Sequence, residues 1–142
     1  MKQELVKDWM ICNVVTVTPN TTVPEAQRMM TEHAIRRLPV VENGHLVGIV
    51  TRGDIREADP SSVTSLSTWE LNDLLTKMKV GQIMTPKPTS IAQDATIGEA
   101  AQVMLEGKIS GLPVIDSAGK LVGIITESDI FRLVVREWSK AT

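Results

Sequence analysis

Short apolar runs alternate with amphipathic stretches along this chain, and the whole alternation occurs twice. Leu38-Pro39-Val40-Val41, a turn on Asn43-Gly44 and the run Leu46 to Val50 spell strand, turn and strand, a β-hairpin. Leu112-Pro113-Val114-Ile115, Asp116-Ser117-Ala118-Gly119 and Leu121 to Ile125 spell it again. Ahead of each hairpin, apolar positions recur at helical spacing: Ala26, Met29 and Met30 in the first copy, Ala100, Val103 and Met104 in the second. The spacing predicts a helix from about Pro24 to Glu32, opened by the turn and cap chemistry of Asn20-Thr21-Thr22, with Pro24 suited to a first helical turn. Its methionines read as core, not as metal ligands. Upstream, Val14 to Thr18 alternates like a short β-branched strand. Downstream, Asp54 opens Ile55-Arg56-Glu57-Ala58 and Asp129 opens Ile130 to Val135, both predicted helical. Each Thr-x-x-Asp, Thr51 to Asp54 and Thr126 to Asp129, is therefore a strand-to-helix junction.

The copies superimpose in detail. At one constant offset Val6 to Met10 falls on Val80 to Met84, Thr22 to Ala26 on Thr96 to Ala100, and Pro39 on Pro113; one extra residue in the second turn then brings Asp54 onto Asp129. Insertions are best tolerated in turns, so the slip sits where it should. A repeated supersecondary unit cannot bury its apolar face alone. With 142 residues and 42% apolar content, two half-domains sharing one core are expected. The segments divide as a first repeat over 1–58, a linker over 59–79 and a second repeat over 80–142.

Within the linker, residues 59–66 are rich in Ser and Thr and begin on a turn signal, and Ser67-x-x-Glu70 then reads as a capping box. Trp69, Leu71, Leu74, Leu75 and Met78 follow at near-helical spacing, which predicts a helix packed on the module or at a subunit contact.

Charge narrows the function classes. Fifteen basic against 17 acidic residues give a net charge of −2, without the basic field that attracts a phosphate backbone. Four aromatic residues also offer little for stacking on bases, so no nucleic-acid partner is expected. The longest apolar stretches are strand-sized and no charged-then-apolar leader opens the sequence, which predicts a cytoplasmic protein without membrane insertion. Cys12 is the single cysteine and has neither a disulfide partner nor zinc-ligand spacing; it reads as a small side chain in an irregular segment. His33, at a helix end, and His45, in the hairpin, share no visible partner, so no metal site is expected. No nucleophile stands beside a base, and an enzyme is not indicated.

The junctions are where chemistry is concentrated. A helix start presents unpaired N–H groups and a partial positive charge that favour a phosphate, and Thr51 or Thr126 adds a hydroxyl. A carboxylate at Asp54 or Asp129 can accept hydrogen bonds from the vicinal hydroxyls of a ribose. The competing reading is a plain helix cap in which each aspartate bonds its own backbone. Duplication at equivalent positions favours the binding reading.

Helix, small-x-Leu-Pro-Val, Gly-Ile-Val-Thr-x-x-Asp and closing helix, given twice over about Val6 to Ala58 and Val80 to Val135, resembles a tandem pair of cystathionine-β-synthase (CBS) domains of the stand-alone type, a Bateman module. The resemblance implies an α/β (α+β) fold of two pseudo-symmetric β-α-β-β-α units packed sheet to sheet, with two clefts holding AMP, ADP, ATP or S-adenosylmethionine as a regulatory ligand and no catalytic cofactor. It implies for one cleft that Pro88, Thr89 and Ile109-Ser110-Gly111 lie against the base, that Thr51 and Asp54 hold phosphate and ribose, and that Arg36 and Arg37 point at the phosphates. For the other cleft it implies Val14, Val15 and the Ile35 to Arg37 segment around the base, with Thr126, Ser128 and Asp129 on sugar and phosphate. Ser110 and Gly111 carry no charge where the first copy has Arg36 and Arg37, so the Asp54 cleft is expected to hold polyanionic nucleotides more tightly. The arginines read alternatively as a solvated pair at a strand edge.

The function so implied is adenosyl-nucleotide sensing, passed to a regulated partner, an output domain or the other subunit of a homodimer. Phe131, Val134, Val135 and Trp138 on the last helix fit a self-contact, and Trp138 fits closure of the intramolecular core equally well. Two alternatives stand beside this reading. One is an excised regulatory domain of a transporter or metabolic enzyme; the other is a dimerisation scaffold with vestigial clefts.

Overall fold

The computed structural model describes residues 3–59 and 67–141, so the connector at 60–66 lies outside the described residues. The fold is α+β, with two three-stranded sheets and helices. It divides into two compact units: a middle unit of Val15–Pro88 and a terminal unit made of Met1–Val14 with Thr89–Thr142.

In the middle unit, helix α1 (Val23–His33) starts where Thr22 Oγ1 accepts the Glu25 N–H at 3.3 Å and stops at Ala34, which takes a left-handed φ of 54°. The spacing of Val23, Ala26 and Met30 puts all three on the buried side. Strands β1 (Arg37–Glu42) and β2 (His45–Thr51) form the antiparallel hairpin, turned by Asn43 and Gly44 at φ 52° and 82° as a primed two-residue turn requires. Helix α2 (Arg52–Ala58) follows β2 directly, and α3 (Thr68–Lys77) and α4 (Val80–Ile83) precede the two-residue strand β3 (Thr85–Pro86), antiparallel to β2.

The terminal unit repeats the scheme. Strand β4 (Ile91–Ala92) runs parallel to β5 (Gly111–Ile115), which pairs antiparallel with β6 (Leu121–Thr126). Helix α5 (Ile97–Gly107) is capped by Thr96, whose Oγ1 accepts the Glu99 N–H at 3.1 Å, and ends on left-handed Lys108, φ 53°. The longer second turn is held by Asp116 Oδ1, which accepts the N–H groups of Ala118 and Lys120, both at 2.9 Å. Helix α6 (Glu127–Ala141) closes the unit.

Each sheet is completed by a segment that begins the other sequence repeat. Thr85 pairs with Ile49 of β2, and at the equivalent place Ile11 bridges Ile124 of β6 with N···O distances of 2.8 and 2.9 Å. The cores follow suit: Val80 is buried with Met30, Leu38 and Val50, while Val6 is buried with Met104, Leu112 and Ile125. The compact units therefore differ from contiguous repeats cut at 58 and 80.

The alternating run Val14 to Thr18 forms no strand beyond a single parallel bridge, Val17 to Val40. A turn at Cys12 to Val14 and another at Thr18 to Thr21 fold the backbone away on either side. Helix α3 begins at the predicted capping box, Ser67 Oγ accepting the Glu70 N–H at 3.2 Å. Its apolar positions do not form one buried stripe. Met78 packs against the middle core, but Trp69 and Leu74 are exposed, since at about 100° per residue they stand off the Leu75 side. Trp138 is 74% exposed and does not close the core of its unit.

Candidate functional site

The middle unit brings Thr51, Asp54, Arg36 and Arg37 to one corner. Thr51 ends β2 and caps α2: its Oγ1 accepts the Asp54 N–H at 3.0 Å while Asp54 Oδ2 accepts the Thr51 N–H at 2.9 Å, a reciprocal capping box. Arg37 stands opposite Thr51 in the ladder, and the Arg52 N–H donates to the Arg36 carbonyl at 2.9 Å, which pins the Ile35–Arg37 segment beside the junction. Asp54 is half-buried, and its Oδ1 takes no hydrogen bond from the described residues. Arg36, Arg52 and Arg56 are exposed on the segments that meet there. Val15 and Pro88 belong to the same unit and are half-buried.

The terminal unit repeats the corner with different charges. Gly111 stands opposite Thr126, and the Glu127 N–H donates to the Ser110 carbonyl at 2.9 Å, just as Arg52 does to Arg36. Ile109 is half-buried, its N–H donating to the Met104 carbonyl at 3.0 Å. Asp129 is 2% exposed, the one charged residue buried among the described residues. Its Oδ2 accepts the Thr126 N–H at 2.9 Å and the Thr126 hydroxyl at 3.3 Å, and its Oδ1 accepts from the Arg132 guanidinium. Ser128 and Thr89 are exposed, and Val14 is half-buried.

Both aspartates thus cap a helix through Oδ2, while Oδ1 is unengaged by the described residues at Asp54 and paired with Arg132 at Asp129. Caps and ligand sites share this geometry, because a helix start that holds its own carboxylate also presents N–H groups to an anion. The residues assigned to each cleft by resemblance are drawn from both units: Pro88 falls in the middle unit, and Thr89 with Ile109, Ser110 and Gly111 falls in the terminal one.

Sequence reasoning missed the pairing of Arg132 with Asp129. The signal was present: an arginine three residues after the aspartate, one helical turn on, where the first copy has Glu57. Also unforeseen is a groove of about 750 Å³ in the middle unit, walled by Val23, Met30, Arg52, Ile55, Arg56 and Leu75, which contains none of the predicted site residues. No group of His, Cys, Asp and Glu suited to a metal ion occurs among the described residues. His33 ends α1, and His45 opens β2 with its ring nitrogen 3.2 Å from the Asn43 carbonyl.

The family model of the CBS domain matches the chain twice, over residues 6–61 and 80–136. The chain belongs to the CBS-domain family. This CBS pair is 38% identical over 125 residues to an inosine-5′-monophosphate dehydrogenase of Korarchaeum cryptofilum, covering 88% of the pair and 23% of that enzyme. In structure it resembles CBSX2 of Arabidopsis thaliana in complex with AMP, with a TM-score of 0.79 and 31% identity over 94% of the pair and 97% of that chain. It also resembles the CBS domain pair of protein MJ0100 in complex with 5′-methylthioadenosine and S-adenosyl-L-methionine, with a TM-score of 0.76 and 31% identity over 96% of the pair and 99% of that chain. The CBS pair therefore spans under a quarter of the dehydrogenase and nearly the whole of each solved pair. Among its described residues no helix is long and apolar enough to cross a membrane.

Proposed function

We propose that this CBS pair is a cytoplasmic regulatory module, not an enzyme, that binds an adenosyl ligand at its Thr-x-x-Asp junctions and passes the bound state to a partner or output domain. One observation carries the reading: among the described residues Asp54 keeps Oδ1 unengaged, at a helix start beside the segment that bears Arg36 and Arg37. A ribose can bridge to that oxygen while the arginine forks and the Thr51 hydroxyl take phosphate. Pro88, Thr89 and Ile109 to Gly111 are the base contacts of this ligand. Val14, Val15 and Ile35 play that part for a second ligand on Thr126, Ser128 and Asp129. The AMP complex of CBSX2 and the S-adenosylmethionine complex of MJ0100 support the ligand class. The exposed Phe131, Val134, Val135 and Trp138 of α6 support a homodimer.

Calorimetric titration with AMP, ADP, ATP and S-adenosylmethionine tests the reading. At least one ligand binds and raises the melting temperature by linkage, and Asp54→Ala weakens that binding on the order of tenfold or more, the value of a hydrogen bond to a charged group. If none of the four binds, the sensor reading is wrong and a dimerisation scaffold is the better account. The match to part of a dehydrogenase favours a second reading, a regulatory segment of a longer enzyme; it has the same ligand chemistry and a catalytic domain as its output.

A further inference from the structure

The two junctions carry opposite charge at two equivalent positions. Overlaying the repeats sets Arg52 against Glu127 and Glu57 against Arg132. The consequence is visible in how each carboxylate is used. Asp54, followed by Glu57, receives no bond from a cation among the described residues, and its Oδ1 is unengaged by them. Asp129, followed by Arg132, has both oxygens engaged: Oδ2 by the N–H and hydroxyl of Thr126, Oδ1 by the guanidinium. Asp129 is 2% exposed, whereas the Arg132 side chain is 63% exposed. The guanidinium therefore closes the open side of a carboxylate that is otherwise sealed in protein.

A ribose that uses Asp129 must compete with Arg132 for Oδ1, the one oxygen not held by Thr126. The exchange is sterically open, since the arginine can swing into solvent, but it gives up an ion pair, in which donor and acceptor are both charged, for bonds from neutral hydroxyls to the same carboxylate. No such exchange is needed at Asp54. We infer that Arg132 is a latch on the second junction: it withholds the Asp129 carboxylate from ribose, makes this junction the weaker adenosyl site, and so fixes the order in which the two fill. The inference rests on the adenosyl reading above and adds a specificity-determining residue to it. The charge of Arg132 also compensates a buried carboxylate, so the latch stabilises the unliganded junction that it keeps closed.

The test uses the full chain and AMP in calorimetric titration. Asp54→Ala isolates the terminal junction. In that background Arg132→Gln tightens AMP binding on the order of tenfold, while Arg132→Lys, which keeps the cation, leaves it near the parent value. The gain is absent with 2′,3′-dideoxy-AMP, which lacks the hydroxyls that compete with the guanidinium; a purely structural effect of Arg132 would move both ligands alike. The unaltered chain gives a second readout independent of how the variants fold. In NMR, the Arg132 side-chain N–H signals, slowed in exchange by pairing, become fast at AMP saturation of both junctions. Unchanged AMP affinity in Arg132→Gln, an equal gain with the dideoxy ligand, or guanidinium signals that stay slowed at full occupancy each overturn the latch while Asp54-dependent binding stands. If AMP binds at neither junction in any variant, the adenosyl reading and the latch fall together.

Discussion

A Cβ built on Gly123 would stand 2.5 Å from Met10 Sδ and 2.9 Å from the Ile11 carbonyl oxygen; one on Gly48 would stand 2.5 Å from Met84 Sδ and 3.1 Å from the Thr85 carbonyl oxygen. These glycines are sites of close approach, where a neighbouring segment lies on the strand. The sulfur can move aside but a ladder carbonyl cannot, so the two positions respond differently to alanine. Gly123→Ala costs about 2 kcal/mol and Gly48→Ala about 1 kcal/mol in urea unfolding, within the range for overpacked sites. Adding Met84→Ala recovers most of the loss at Gly48, whereas Met10→Ala recovers only part at Gly123; equal recovery would show that the methionine alone sets the cost. At the Thr51–Asp54 corner proposed to bind the ligand, Arg36→Ala weakens ATP several-fold more than adenosine if its fork serves phosphate, measured by calorimetry with each. The strand-to-helix junctions at Thr51 to Asp54 and Thr126 to Asp129 were legible from the sequence because their hydrogen bonds are local to a few residues. The Arg132 pairing is equally local, but duplication marks only what the copies share, and here their charges invert.

Helices α1 and α5 and both hairpins were legible for a physical reason: caps, helical spacing and turn residues all lie within a few positions of one another. Thr96→Ala therefore removes a bond that the sequence alone announces and costs about 1 kcal/mol, read from thermal melts at fixed pH. On α1, Arg28 bonds both Glu25 and Glu32, and the first of these bonds holds the Glu25 carboxyl below the usual carboxylate range. A lowered carboxylate adds stability above its unfolded pKa and loses it as pH falls through the folded one. The stability difference between the parent and Glu25→Gln is thus fully present at neutral pH, starts to shrink as pH nears the ordinary glutamate value of about 4.3, and is gone once pH has fallen through the lowered folded value. A difference that persists in acid would place the effect elsewhere. Helix α3 was legible as a helix but not in its faces, because Trp69 and Leu74 add apolar letters without sharing the Leu75 side. The run Val14 to Thr18 has strand composition, yet pairing depends on a non-local partner, and only Val17 finds one.

At the scale of the molecule, the duplicated sequence was plain and the way its pieces assort was not. Met10 and Met84, Val6 and Val80, Gly48 and Gly123 all match by repeat position, but nothing local says that Met10 lies on Gly123 rather than on Gly48. The division into units makes a direct prediction. A fragment of residues 15–88 keeps the whole core of Val17, Met30, Leu38, Val50 and Val80 and unfolds cooperatively in urea. A fragment of residues 1–58 lacks Val80, Met78 and Met84, leaves Val6 without its core, and shows no cooperative transition. If the shorter repeat folds as well as the longer piece, the assignment of residues 80–88 to the middle core is wrong.

The crossings at 14/15 and 88/89 also decide how the molecule bears tension. Residues 3–14 and 89–141 lie in the same unit, held together by the Ile11–Ile124 bridge, the buried Val6 and an ion pair from Arg136 to Glu4. A pull applied at the two ends is therefore carried first by the contacts that join residues 3–14 to residues 89–141, and the intervening stretch of chain is loaded only after they part. Stretched in an optical trap, the chain should give way in a fixed sequence. The leading segment shears off β6 first, and only then does load reach Val15–Pro88 and release its longer length.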